Sequence, residues 1–154
     1  MTSEIDKIPQ NFGNIGKLSL TQGIAALNPA TPVSVYETDS LQRAIELLQE
    51  CHIGCALVVD ANGKLNGIFS ERDILQKWAL SEVPPSEIPV TEIMTPDPAS
   101  LPSDTTVAAA LYTMSKGGFR HLPLTDEAGH PVGIVSVKDV MDFIAMQCMK
   151  DMFT

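Results

Sequence analysis

The chain lacks the features that would commit it to a membrane, an export route or an electrostatically chosen partner. Among its 154 residues no apolar run approaches the ~18 needed to span a bilayer. Met1 to Leu20 has neither a basic start followed by an apolar stretch nor a small-residue cleavage pattern. A soluble, cytoplasmic protein is expected. Basic residues are scarce: 10 Lys and Arg stand against 19 Asp and Glu, for a net charge of −9. That balance repels nucleic acid and anionic lipid, so a phosphate-bearing partner needs a local basic pocket. Cysteine is confined to Cys51, Cys55 and Cys148. An odd number of cysteines without an export signal argues against a disulfide framework and for reduced thiols.

Catalytic motifs are missing as well. There is no Gly-x-Ser-x-Gly nucleophile turn, no Gly-rich phosphate loop ending in Lys and Ser or Thr, and no His-Glu-x-x-His helix. Cys51, His52 and Cys55 place two thiols and an imidazole close together, but a closed zinc site takes four ligands and no second Cys/His pair is at hand. Cys55 reads better as a small core residue. Neither enzymatic activity, a catalytic cofactor nor a metal is expected.

What the chain does have is an internal echo. Pro32, Ser34, Ala44, Asp60, Gly63, Gly67, Ile68, Ser70, Asp73 and Ala79 recur 66 positions later, without a gap, as Pro98, Ser100, Ala110, Asp126, Gly129, Gly133, Ile134, Ser136, Asp139 and Ala145. Average composition predicts only about 3 chance identities over such a window, so the chain is a duplication. The agreement is densest from Gly67 to Asp73 against Gly133 to Asp139.

Each copy reads βαββα. In the first, Val33 to Val35 is a short strand; Leu41, Ala44, Ile45 and Leu48 recur at helical spacing behind the caps Thr38, Asp39 and Ser40. Ala56 to Val59 and Leu65 to Phe69 flank a hairpin turn at Asp60 to Gly63. A second helix starts near Arg72, with Ile74, Leu75, Trp78 and Ala79 as its apolar stripe. The second copy repeats the order: a strand at Ala99 to Leu101, a helix with Val107, Ala110, Leu111 and Met114, strands around Leu122 to Thr125 and Val132 to Val135, and a closing helix. Residues 81–88 of the Pro-rich stretch Ser81 to Pro89 are the linker. The chain thus divides into an N-terminal extension at 1–22, repeats at 23–80 and 89–146, and a C-terminal helix extension at 147–154. Met1 to Asn14 is polar and aperiodic and is placed outside the core.

Two βαββα units, each with Gly-Ile-x-Ser-x-x-Asp at its second hairpin, resemble a pair of CBS (cystathionine β-synthase type) domains, together called a Bateman module. The resemblance covers about Gly23 to Met146, and Arg120-His121-Leu122-Pro123 strengthens it. The first copy departs there, with Gly54, Cys55, Ala56 and Leu57. What the resemblance implies is an α+β fold, two repeats packed about a pseudo-twofold axis, and two clefts that take AMP, ADP, ATP or, less favoured here, S-adenosylmethionine. It further implies that the motif Asp holds ribose hydroxyls and the motif Ser a phosphate, with adenine held by the partner unit. Carried over by position, one site joins Ser136, Lys138 and Asp139 to Ile24, Ala25, Ile53 and Gly54. The other joins Ser70, Arg72 and Asp73 to Val90, Thr91, Phe119, Arg120 and His121.

The residue chemistry fits that implication, because a carboxylate can accept both hydroxyls of a vicinal diol and a strand-to-helix junction offers a hydroxyl and free amides to an anion. A purely structural reading stands beside it: Ser70 and Ser136 can cap the closing helices, with Asp73 and Asp139 as first-turn carboxylates. Arg72, Lys138 and Arg120 favour phosphate over an uncharged tail. Arg120 and His121 serve one cleft alone, which makes the Asp73 cleft the better candidate. The last helix is apolar around much of its circumference, and Met149, Met152 and Phe153 extend past the repeat. They are expected to meet another subunit, as in a homodimer through the closing helices, or the N-terminal segment, with core packing as the alternative. The resulting expectation is a stand-alone adenosine-nucleotide sensor that signals to a partner protein; the competing one is a ligand-independent interaction module.

Overall fold

The structure is a computed structural model and describes residues 20–153. A 3-10 turn at Ile24–Leu27 leads into β1 (Ser34–Tyr36), α1 (Leu41–Cys51), β2 (Cys55–Val59), β3 (Leu65–Ser70) and α2 (Glu71–Lys77). A second 3-10 turn (Pro85–Glu87), α3 (Val90–Ile93) and β4 (Thr95–Pro96) connect to β5 (Leu101–Pro102), α4 (Val107–Gly117), β6 (His121–Thr125), β7 (Pro131–Ser136) and α5 (Val137–Phe153). The α+β architecture and the βαββα order agree with the sequence reading. The first strands each start later than expected, β1 at Ser34 rather than Val33 and β5 at Leu101 rather than Ala99. Helix α2 ends at Lys77, which leaves Trp78 and Ala79 just beyond it.

Local chemistry explains the paired elements. Helix α1 buries Leu41, Ala44 and Leu48, and its N-cap Ser40 accepts from the Arg43 amide at 3.2 Å; α4 buries Val107, Ala110 and Met114, and Thr106 accepts from Ala109 at 3.1 Å. In both hairpins an Asp side chain closes the turn. Asp60 Oδ1 accepts from the amides of Asn62 and Lys64, and Asp126 Oδ1 from those of Ala128 and His130. Strand β2 is buried along its whole length and is an inner strand, with β1 parallel on one side and β3 antiparallel on the other.

The packed halves differ from the sequence repeats. Ile24 and Leu27, which open the first copy, sit in the second core with Val107, Met114, Leu122, Val135 and Phe143. Val90, Ile93 and Met94, which open the second copy, and Ile88 at the end of the linker sit in the first core with Leu41, Val58 and Phe69. Main-chain pairing tracks the exchange: Gly23 bridges Thr106 and Pro89 bridges Ser40. Ala30 bridges Ile134 of β7, and β4 adds a fourth strand to the first sheet, against Gly67 and Ile68 of β3. Each large aliphatic side chain buried in this way contributes roughly 1.5–3 kcal/mol, so each lead-in is a substantial part of the opposite core. The hairpin tips also meet, with the Leu65 amide donating to the Gly129 carbonyl at 3.0 Å. Among the described residues no helix is long and apolar enough to cross a membrane.

Candidate functional site

The exchange brings three chain segments around one cavity of about 520 Å³. The end of β3 and start of α2 contribute Ser70, Glu71, Arg72 and Asp73; the loop entering β6 contributes Gly118, Phe119, Arg120 and His121. The third wall is β4 with the loop that leaves it, carrying Thr95, Asp97, Pro98 and Ala99, while Gly54, Cys55 and Ile68 complete the lining. Six residues singled out from sequence for the Asp73 cleft therefore share its lining: Ser70, Arg72, Asp73, Phe119, Arg120 and His121.

Asp73 is 7% exposed and heavily engaged. Its Oδ2 accepts from the Ser70 amide at 2.9 Å and from the Ser70 hydroxyl at 3.0 Å. Its Oδ1 lies 3.0 Å from Lys77 Nζ and accepts from the Thr95 hydroxyl at 3.4 Å. The helix-capping reading of Ser70 and Asp73 is thus present in the structure, and the same pair still lines the cavity. Among the described residues, the guanidinium groups of Arg72 and Arg120 have no ion-pair partner. Unpaired guanidinium groups beside a cavity can hold phosphate or carboxylate oxygens in pairs.

Two titratable groups are displaced from their ordinary ranges. Burial lowers the His121 imidazole below the usual histidine value, and the Arg120 charge lowers it further against an opposing pull from Asp139. Burial, reinforced by the Asp73 charge, pushes the Cys55 thiol up to about 12. Cys55 is thus an inert wall residue, all three cysteines are free thiols, and among the described residues no cluster of His, Cys, Asp and Glu is arranged to hold a metal ion. The cavity offers a carboxylate acceptor, an aromatic face at Phe119 and two guanidinium groups. That combination suits a ligand carrying hydroxyls, a planar ring and an anionic group.

Other singled-out residues lie elsewhere. Val90 is fully buried in the first core and Thr91 is exposed on α3, because the wall of the cavity comes from the next turn of chain, residues 95–99. On the opposite repeat the Ser136 amide donates to Asp139 Oδ2 at 2.8 Å and the Ser136 hydroxyl accepts from the Asp139 amide at 3.1 Å, a reciprocal cap. Lys138 is exposed and ion-paired with Asp142, which raises its pKa. Ile24 is in the second core, and Ala25 is exposed. Ile53 and Gly54 line a smaller cavity of about 410 Å³ with Ile45, Leu48 and Ile74, and Gly54 also borders the larger one.

Thr95, Asp97 and Ala99 are lining residues that sequence reasoning missed. The signals near them were the recurrence of Pro32 as Pro98 and of Ser34 as Ser100. Asp97 adopts a left-handed backbone (φ 45) and donates its amide to the Asn66 carbonyl at 3.0 Å, a conformation that costs a non-glycine residue roughly 1–2 kcal/mol.

Comparison with known proteins places this geometry. The profile of the CBS domain matches residues 26–79 and again 90–146. A CBS domain-containing protein of Arabidopsis thaliana is 38% identical over 105 residues, which is 68% of this chain and 19% of that protein's length. The chain thus spans about a fifth of that relative. Among solved structures, the CBS domain of a CBS domain-containing membrane protein from Sphaerobacter thermophilus aligns with a TM-score of 0.72 at 26% identity, over 84% of this chain and 91% of that one. A CBS domain pair solved in complex with methylthioadenosine and S-adenosyl-L-methionine aligns with a TM-score of 0.64 at 28% identity, over 73% of this chain and 90% of that one. With both repeats matched, and with the solved pairs sharing its two-sheet architecture, the chain belongs to the CBS domain family.

Proposed function

We propose that the chain is a regulatory module that binds an adenosine nucleotide, AMP, ADP or ATP, in the Asp73 cleft and signals its occupancy to a partner protein. The observation that carries this reading is the convergence of Asp73, Phe119, Arg72 and Arg120 on one cavity. The carboxylate is the acceptor for ribose hydroxyls, the Phe119 ring a face for the base, and the two guanidinium groups a seat for phosphate in a chain of net charge −9. A CBS pair 28% identical to this chain binds adenosine compounds in its crystal, which supports the ligand class. The two guanidinium groups favour a phosphorylated ligand over S-adenosylmethionine, whose sulfonium is positive.

Calorimetric titration with AMP, ADP, ATP and S-adenosylmethionine tests the reading. Saturable heat with at least one nucleotide is expected, weakened about tenfold or more by Arg120→Ala, since a charge-assisted contact is worth roughly 1.5–3 kcal/mol. Silence from all four ligands at millimolar concentration would sink it.

A second reading concerns assembly. Leu75 and Leu80 after β3, and Met141, Met146, Met149, Met152 and Phe153 on α5, are exposed. They supply an apolar surface of the kind that associates, and we assign it to a homodimer. A monomeric mass in sedimentation equilibrium at micromolar concentration would rule this out.

A further inference from the structure

Lys77 stands behind the cleft rather than in it. Its ammonium has three N–H bonds, and three acceptors surround it: Asp73 Oδ1 at 3.0 Å, the Ile93 carbonyl at 2.9 Å and the Met94 carbonyl at 3.3 Å. Those carbonyls close α3, at the root of the cleft wall formed by Thr95, Asp97, Pro98 and Ala99. Asp73 is equally full, because a carboxylate has about four acceptor positions and here takes the Ser70 amide, the Ser70 hydroxyl, Lys77 and Thr95. An incoming hydroxyl must displace one of these donors. The Thr95 hydroxyl, neutral and at 3.4 Å, is the weakest held.

We propose that Lys77 is a positioning residue that fixes Asp73 to the root of the cleft wall, and that the Thr95 hydroxyl holds the place a ligand hydroxyl takes. This rests on the nucleotide reading above and adds a route by which occupancy is felt outside the cleft. When a ribose hydroxyl displaces Thr95, β4 loses its side-chain tie to Asp73 while α3 keeps its tie through Lys77. The change is therefore focused on residues 95–99, the segment that enters the second repeat. The opposite repeat has no counterpart: position 143, equivalent to Lys77, is Phe143, buried in the second core. The two repeats are thus wired differently: the Asp73 cleft links its carboxylate to the second repeat's lead-in through a lysine for which the second repeat has no counterpart.

The test combines titration with AMP and hydrogen exchange on peptides covering residues 90–99, for the wild type, Lys77→Met, Lys77→Arg and Thr95→Val. Lys77→Met is expected to weaken AMP about tenfold through lost preorganisation and to abolish the AMP-induced change in exchange. Lys77→Arg restores both, which a general loss of packing would not allow. Thr95→Val, which leaves Asp73 one open acceptor position, is expected to tighten AMP severalfold. Affinities for Lys77→Met and Thr95→Val that both equal the wild-type value overturn the proposal. If the wild type binds no adenosine compound, the nucleotide reading fails, and the ligand-free comparison still decides this one: Lys77→Met accelerates exchange at the Met94 and Asp97 amides if Lys77 holds the wall, and equal rates refute it.

Discussion

His121 shows how a single side chain carries both the fold and the cleft. It pairs with Ser136 across the second sheet, lines the larger cavity and feels the charges of Arg120 and Asp139. Its imidazole is held below the ordinary histidine value, so the folded protein resists a proton that the unfolded chain accepts. This contribution to stability is therefore whole above about pH 6.5, the unfolded value, and is lost as pH falls through the lower folded value. Replacing His121 with Gln is expected to flatten the fall in melting temperature between pH 7.5 and 5.5. An unchanged slope would show that His121 does not set it. At this scale much was legible, because Ser70, Arg72 and Asp73 announce themselves by type and by recurrence, and Arg120 and His121 by type and by their absence from the first copy. Val90 and Thr91 were placed in the cleft only by position, and the structure seats Val90 in the core. The residues at 95–99 were invisible because nothing local marks which lead-in wraps which sheet.

Among elements, β4 is the piece that sequence patterning could not supply. Two residues carry no periodicity, and the strand exists only because Thr95 and Pro96 find Ile68 and Gly67. Gly67 makes that approach possible: a Cβ there would collide with Met94 Sδ. Gly67→Ala therefore forces Met94 out of a buried site, and a loss of about 1–3 kcal/mol is expected from overpacking, read by urea denaturation. The equivalent Gly133 faces Pro29 Cβ at 3.3 Å, where a small shift suffices. Gly133→Ala should cost less, and equal losses would show that the Met94 contact is not what Gly67 protects. The helices were more legible than the short strands, since α1 and α4 each present a long apolar face behind a Ser or Thr cap.

For the molecule as a whole, the 66-residue period describes how the chain was copied, whereas the cores describe how it is held. A cut in the linker near Val83 would separate the sequence repeats yet leave each fragment without the lead-in that completes its core. Each fragment alone is expected to lack cooperative unfolding by circular dichroism, and an equimolar mixture to regain it. A fragment that melts cooperatively alone would show that the exchanged segments are dispensable.

The exchanged lead-ins also bear on ancestry. A single ancestral copy could have closed its core only by lending its opening segment to a second molecule and borrowing that molecule's segment in return. Fusion would then have tied two such molecules into one chain without altering a contact. Once tied, the copies were released from identity: one could keep a lysine at position 77 while its sibling took a phenylalanine at 143. The inequality of the two repeats is then what covalent linkage of a symmetric pair permits.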